Sequence, residues 1–355
     1  MLEGIRVLDF SQYLPGPFAT LRLVDRGAEV IKVEAPNGDP ARQMADGALF
    51  AANNRGKKSI AIDLKSDEGR SKVYNLLKDT DVVVESFRPG VMDRLGLGYE
   101  EVKDINPDII YLSLTGFGQN SPYSHQGSHD LNYVAMSGFL SQFKDESGRP
   151  VMPTQTVADL IGGMVASEAI LSALFKRERT GEGSYIDLAM TDAIFSMMGN
   201  HAMLSSIAGV ESGIPVLNGS YANYRIYETK DGRFMVLGAL EYKFWSVCQA
   251  VGEKQWLNDF PNQLKRPEIH ADIERLFRAR DFQDWIKIGK QYDCCLFPVL
   301  EISEVLKDDY VNDRDLVHIL DGQSFVQTSH HSLTKSNRIA KLNEHADLLS
   351  QDPKV

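Results

Sequence analysis

The chain is poor in cysteine. Its 355 residues include three, Cys248, Cys294 and Cys295, and no CxxC spacing. Three cysteines cannot all pair, so neither a disulfide framework nor a cysteine-based zinc site is expected, and no metal ligand set is assigned. Positive charge is also scarce. Lys and Arg number 38 against 49 Asp and Glu, a net charge of -11. That balance argues against nucleic acid as a partner, yet leaves room for an anionic ligand in a local basic pocket. No apolar run reaches membrane-spanning length, and Met1–Arg6 lacks a signal-peptide core. The last residues carry no targeting tail, so no membrane partner and a cytoplasmic location are the default expectations. Internal repeats and low-complexity tracts are missing as well.

What is there is an ordinary globular balance, 43% hydrophobic and 25% charged, over a length that suits two domains. Ile5–Phe10 reads as a strand. Pro15-Gly16-Pro17 then opens a helix from Phe18 to about Arg26, with Gly27 as its stop, and Ala28–Val33 is a second strand. Strand, helix and strand with short joints predict a parallel sheet. The first joint lacks the GxGxxG dinucleotide fingerprint. Further strands are expected at Ile60–Leu64, Asp81–Glu85, Ile109–Leu114 and Tyr185–Leu188, with a helix at Glu68–Leu77. A Gly-, Ser- and Asn-rich stretch near 205–223 reads as a connection. The expected organisation is a large domain over 1–205, a linker over 206–220, a small domain over 221–305, and a return of 306–355 to the first.

Several stretches hold candidate chemistry. Ser128-His129-Asp130-Leu131-Asn132-Tyr133 carries a histidine at the start of an expected helix, with Ser128 or Asp130 as its cap. Asp159 opens a second apolar helix ahead of Gly162 and Gly163. Histidine as a residue type titrates near neutrality and a carboxyl is tunable towards it by burial, so the pair suits opposed proton transfer. Asp159 equally suits an ordinary helix cap. Arg55, Lys57, Lys58 and Lys65 form the most concentrated basic stretch, either a solvated turn or a seat for phosphates. Ser86-Phe87-Arg88-Pro89-Gly90 follows a strand at its carboxyl end, where open α/β sheets bind ligands, and makes Arg88 and Arg94 candidate phosphate contacts. Glu241 lies near another expected helix start, where the helix dipole favours an acid.

The chain resembles the class III (formyl/carnitine type) CoA-transferase superfamily over nearly its whole length. The matching stretches are Gly16-Pro17-Phe18-Ala19-Thr20, Asp25–Glu34, Asn54–Ser59, Arg88-Pro89-Gly90-Val91, and Asp159 before its glycines. His129-Asp130-Leu131-Asn132-Tyr133 and Gly238–Phe244 resemble motifs of the α-methylacyl-CoA racemase branch. Departures from the pattern are Ser128 for a glycine, Gln155 for an asparagine, Leu160-Ile161 within a glycine run, Tyr242 for a proline, and Asn343-Glu344-His345 for Gly-Glu-His.

The resemblance implies an α/β fold: a large domain with an open, parallel, Rossmann-like sheet, a smaller α+β domain, and an interlocked homodimer with the site shared between subunits. It implies that Ile62, Asp63, Leu64, Lys65, Ser86, Phe87, Arg88, Arg94, Ser128, Asp130, Leu131, Asn132 and Tyr133 contact CoA. CoA would be part of an acyl-CoA thioester substrate, with no separate cofactor. It also implies that His129 and Asp159 invert the α-carbon of a 2-methyl-branched acyl-CoA, with Glu241 orienting the histidine. The Asp130 backbone N–H, at the helix start, would hold the enolate oxygen. The alternatives are a class III transferase with Asp159 as nucleophile and an acyl-CoA-binding protein without turnover.

Overall fold

In the computed structural model, residues 1–240, 243–254, 265–328 and 338–350 are described. Strand β1 (Arg6–Asp9) passes through Gln12 and Tyr13 into helix α1 (Pro15–Val24). The helix begins three residues before the expected Phe18, because Pro15 has no N–H to lose in a first turn and its fixed φ suits the helix. Gly27, at φ +100°, turns the chain into β2 (Glu29–Glu34). Helix α2 (Ala48–Asn54) precedes β3 (Lys58–Ala61). That strand ends three residues earlier than its apolar pattern suggested, so Ile62–Lys65 is a loop that leads to α3 (Asp67–Leu77), capped by Ser66.

The chain continues through β4 (Val82–Glu85), α4 (Val91–Arg94), α5 (Tyr99–Ile105), β5 (Ile110–Thr115), α6 (Asp130–Met136), α7 (Val157–Thr180), β6 (Ser184–Ala189), α8 (Met190–Phe195) and α9 (Gly199–Ala208). The six strands form one parallel sheet in the order β3-β2-β1-β4-β5-β6. The order reverses between β1 and β4, and the loops after both leave the same carboxyl edge. The expected α/β class with a parallel sheet is met.

Helix α6 stops at Met136, and Gly138 beyond it takes φ +78°. Helix α7 differs from expectation. Its 24 residues include a window of mean hydropathy 1.6, long and apolar enough by length and composition to cross a membrane. Its face of Ala158, Gly162, Gly163, Ala166, Ile170 and Leu174 is buried with α1 and β5 residues in one apolar core. Small residues there let two backbones approach. A side chain on Gly163 would meet Pro15 O at 2.7 Å, and one on Gly162 would meet Met190 Cγ at 2.7 Å.

The chain separates into two units, Met1–Gly199 with Asn312–Val355, and Asn200–Val311. Residues 200–220 thus fall in the second unit, where the sequence reading placed the end of the large domain and a linker. That unit holds an antiparallel sheet of β7 (Tyr224–Glu228), β8 (Phe234–Gly238) and β9 (Leu296–Pro298). Helices α10 (Lys243–Val251), α11 (Pro267–Phe277) and α12 (Phe282–Tyr292) pack with it. Tyr227, Phe277 and Trp285 stack at its centre, with ring centroids 4.5 and 4.3 Å apart. In the first unit, the C-terminal stretch covers edge strand β3. Asn343 Oδ1 accepts the Ala61 N–H at 2.9 Å and His345 Nδ1 accepts the Ser59 N–H at 3.2 Å. An exposed strand edge is thereby capped by side chains.

Candidate active site

The loops at the carboxyl edge of the sheet carry most of the residues singled out in the sequence. After β3, Ile62 is buried and Lys65 is exposed, with its backbone N–H turned to Asp63 Oδ1 at 3.0 Å. After β4, the Ser86 hydroxyl accepts the Gln12 N–H at 3.1 Å, which joins the two loops at the point of reversal. Arg88 is exposed, and its Nη2 lies 3.1 Å from where a side chain on Gly127 would begin. It therefore reaches the segment that ends in His129. Arg94 lies over Gly90, which adopts φ +76°. Among the described residues, none pairs with the charged heads of Lys65, Arg88 or Arg94.

The other basic residues behave differently, and the phosphate-seat reading of Arg55, Lys57 and Lys58 is corrected. The Arg55 guanidinium is buried and donates to both oxygens of Asp25 at 2.5 and 2.6 Å. The Lys57 ammonium is buried too, 3.0 Å from Asp9 Oδ2 and bonded to Pro17 O, Thr20 Oγ1 and Asn54 Oδ1. Burial pushes Lys57 down to about 8, in spite of Asp9. Burial works against the Asp9 charge, but Lys57 and Lys32 hold its carboxyl well below the usual range. Lys58 pairs with Glu29. Arg55 and Lys57 neutralise acids in the interior, and Lys58 is held by an acid in a half-buried pair, so all three already have anionic partners. Their acidic partners lie at distant positions in the chain, out of view of local spacing.

His129 is exposed and sits at the N-cap of α6, the place expected for Ser128 or Asp130. Its N–H donates to Asn132 Oδ1 at 2.9 Å, which satisfies the cap from within the motif. Tyr133 is buried against Gly116 and Phe117; its hydroxyl donates to Ser128 O at 3.0 Å and accepts from Ser128 Oγ at 3.0 Å. Gly116 admits the ring because a side chain there would begin 2.3 Å from it. Leu131 is 39% exposed, so the apolar residue of the motif faces outward rather than into the core.

Asp159 is not the cap of α7. Thr156 is, and Asp159 stands in the first turn. Its N–H donates to Asp130 Oδ1 at 3.0 Å, which brings it to the residue after His129. Among the described residues nothing hydrogen-bonds its carboxyl. Burial, followed by repulsion from Asp130, pushes that carboxyl up to about 7. An acid so tuned is half-protonated near neutrality, able either to take or to give a proton. Glu241 lies outside the described residues.

One group escaped sequence reasoning. Glu85, the last residue of β4, is buried and its carboxyl is pushed up to about 7, mainly by burial. The available signal was an acid closing the apolar run Val82-Val83-Val84.

A family model described as CoA-transferase family III matches residues 2–354. The chain is 35% identical over 322 residues to alpha-methylacyl-CoA racemase of Homo sapiens, spanning 88% of this chain and 81% of that protein. It is 37% identical over 332 residues to succinyl-CoA:glutarate CoA-transferase of Mus musculus, spanning 89% and 76%. Among solved structures, a CAIB/BAIF family protein from Brucella suis matches with a TM-score of 0.86 at 30% identity, over 98% of each chain.

Proposed function

Because the chain belongs to CoA-transferase family III, we propose that it is an acyl-CoA epimerase, inverting the α-carbon of a 2-methyl-branched thioester. A thioester acidifies its α-carbon, since the carbanion's electron pair spreads onto the carbonyl oxygen. One group removes the α-proton and leaves an enolate. A second group on the opposite face returns a proton to the same carbon. Formula and thioester are unchanged, and only the configuration inverts.

The observation that carries this reading is the link through Asp130. It follows His129 directly and its carboxylate accepts the Asp159 N–H at 3.0 Å. Two groups suited to proton transfer are thus tied to one short junction, and one of them is tuned to about 7. The Asp130 N–H opens α6, where first-turn donors have no partner within the helix. It would hold the enolate oxygen, and a preorganised donor of that kind is typically worth ~3 kcal/mol of barrier. Lys65, Arg88 and Arg94 would bind the CoA phosphates, with CoA entering as part of the substrate. Glu241 would orient the His129 imidazole, in a homodimeric enzyme.

A second reading keeps Asp159 as a nucleophile that forms a mixed anhydride in CoA transfer. A carboxyl free of hydrogen bonds among the described residues favours it. That chemistry has no use for His129. The test is incubation with a 2-methylacyl-CoA in heavy water, with and without an acceptor acid. Deuterium entering Cα with the thioester intact supports epimerisation. CoA passing to the acceptor acid, with the 2-methyl acid released and no exchange, moves the assignment to the transferase, and binding with neither leaves an acyl-CoA-binding protein.

A further inference from the structure

Glu85 is 3% exposed, and no step of the proposed reaction uses it. In the sheet register it lies beside Ser113 of β5, which lies beside Asp187 of β6. One polar row thus crosses three strands at the edge where the ligand loops leave. The two carboxyl oxygens serve different elements. Oε2 accepts the Phe87 N–H at 2.8 Å, and Oε1 is bonded to the Ser113 hydroxyl. Ser113 Oγ also accepts from the Gln119 side-chain amide, and the Gln119 N–H reaches both Asp187 oxygens at 3.0 Å. The chain of bonds joins the loop after β4 to the loop after β5. Arg88 belongs to the first, and Gly127, against which it lies, follows the second.

We propose that Glu85 is a positioning residue for CoA: it clamps the Ser86–Arg88 turn to the β5 loop and so fixes where Arg88 meets the phosphates. This rests on the acyl-CoA reading above. Burial pushes the Glu85 acid up to about 7, with repulsion from Asp93 and Asp187 adding to it. Tyr111 of β5 and Tyr185 of β6 feel its charge, as they feel that of Asp93. These charged neighbours are anionic, and none relieves it. Oε2 accepts from the Phe87 N–H and Oε1 from the Ser113 hydroxyl, and those two donors oppose the shift without outweighing burial. Ionisation above pH 7 places a buried negative charge beside a turn that must hold phosphates. Glutamine stays neutral at every pH and keeps an oxygen to accept from the Phe87 N–H.

The experiment titrates CoA into the wild type, Glu85→Gln and Glu85→Leu by calorimetry at pH 6 and pH 8, with melting temperatures alongside. Glu85→Gln should bind within about twofold of wild type at pH 6, and Glu85→Leu roughly 3- to 10-fold more weakly, the scale of one net hydrogen bond. Between the two pH values the wild type should lose more affinity than Glu85→Gln; titration of CoA itself is common to both. A folded Glu85→Leu variant that binds as wild type does would overturn the role. Where that variant fails to fold, the glutamine decides, and a pH profile identical to wild type overturns the role. A wild type that does not bind CoA overturns the acyl-CoA reading and this inference with it, an outcome distinct from unaffected variants of a CoA-binding protein.

Discussion

The backbone N–H of Asp159 donates to Asp130 Oδ1 across 3.0 Å, and so joins the first turn of α7 to the first turn of α6. The bond positions Asp159 and also brings a like charge towards its carboxyl. Burial is the larger cause of the Asp159 shift to about 7, and Asp130 the smaller. Asp130→Asn keeps an oxygen for the N–H and removes the charge. The limb of the pH–rate profile on which Asp159 acts as base should therefore move to lower pH, by roughly one unit or less. An unmoved limb would mean that the Asp130 charge is not felt at the reacting carboxyl.

Arg88 is exposed and, among the described residues, has no acidic partner. A free guanidinium beside Gly127 is available to a phosphate. Arg88→Ala should weaken CoA binding by roughly 1–3 kcal/mol, the scale of a charge-assisted bond. The loss should shrink as salt is raised. Unchanged affinity by calorimetry would remove Arg88 from the ligand set.

Much of the sheet was legible in the sequence, because each strand is a short apolar run closed by a turn. The strands Val82–Glu85 and Ile110–Thr115 fall within a residue of their expected bounds. Burial of charge was not legible. Arg55, Lys57 and Lys58 look like a ligand patch in sequence, yet Asp25, Asp9 and Glu29 claim them across tens of residues. The neighbourhood of His129 and Asp159 was expected from resemblance, but no spacing rule reveals that Asp130 bridges to the Asp159 backbone. Glu85 was passed over since its burial arises only when β1 and β5 flank β4. Nor does the sequence tell what Gly162 and Gly163 face: packing sets Gly163 against the α1 backbone and Gly162 against the Met190 side chain.

Gly163 tests that packing directly. A Cβ there would meet Pro15 O at 2.7 Å and Phe18 Cδ1 at 2.9 Å. Neither is the free end of a flexible chain, so α7 must shift from α1. Gly163→Ala should cost roughly 1–3 kcal/mol in denaturant unfolding, the range for overpacking. Gly199, with nothing within 4 Å of its would-be Cβ, is the control for the substitution itself. Equal unfolding midpoints for Gly163→Ala and wild type would show the contact to be soft.

Asp159 should also make stability depend on pH. Burial, with Asp130 adding to it, pushes its carboxyl up to about 7 in the folded chain, above the ordinary 3.8 of an exposed aspartate. Between those values the folded state holds a proton that the unfolded state has lost. Stability therefore falls as pH rises through this window, and the penalty is complete above pH 7. Asp159→Asn removes the penalty. Its melting temperature should exceed that of wild type at pH 8, with the difference vanishing towards pH 4. A difference independent of pH would place its cause elsewhere, in packing or in the helix start.

The roles of the two bases separate by stereochemistry. If His129 and Asp159 face opposite sides of the α-carbon, each is the base for one epimer and the acid for the other. Inversion needs both groups, whereas exchange with solvent needs only the base on the side of the departing proton. His129→Ala should lose inversion yet retain exchange on the epimer whose proton faces Asp159. Asp159→Ala should retain exchange on the other epimer alone. General acid–base groups typically contribute ~10²–10⁴-fold each, so the losses are large enough for chiral analysis after thioester hydrolysis. On the retained side, exchange in His129→Ala should rise with pH through about 7, where the Asp159 carboxyl loses its proton. If His129→Ala inverts its substrate at the wild-type rate, the histidine serves only as the helix cap, and the two-base mechanism is wrong.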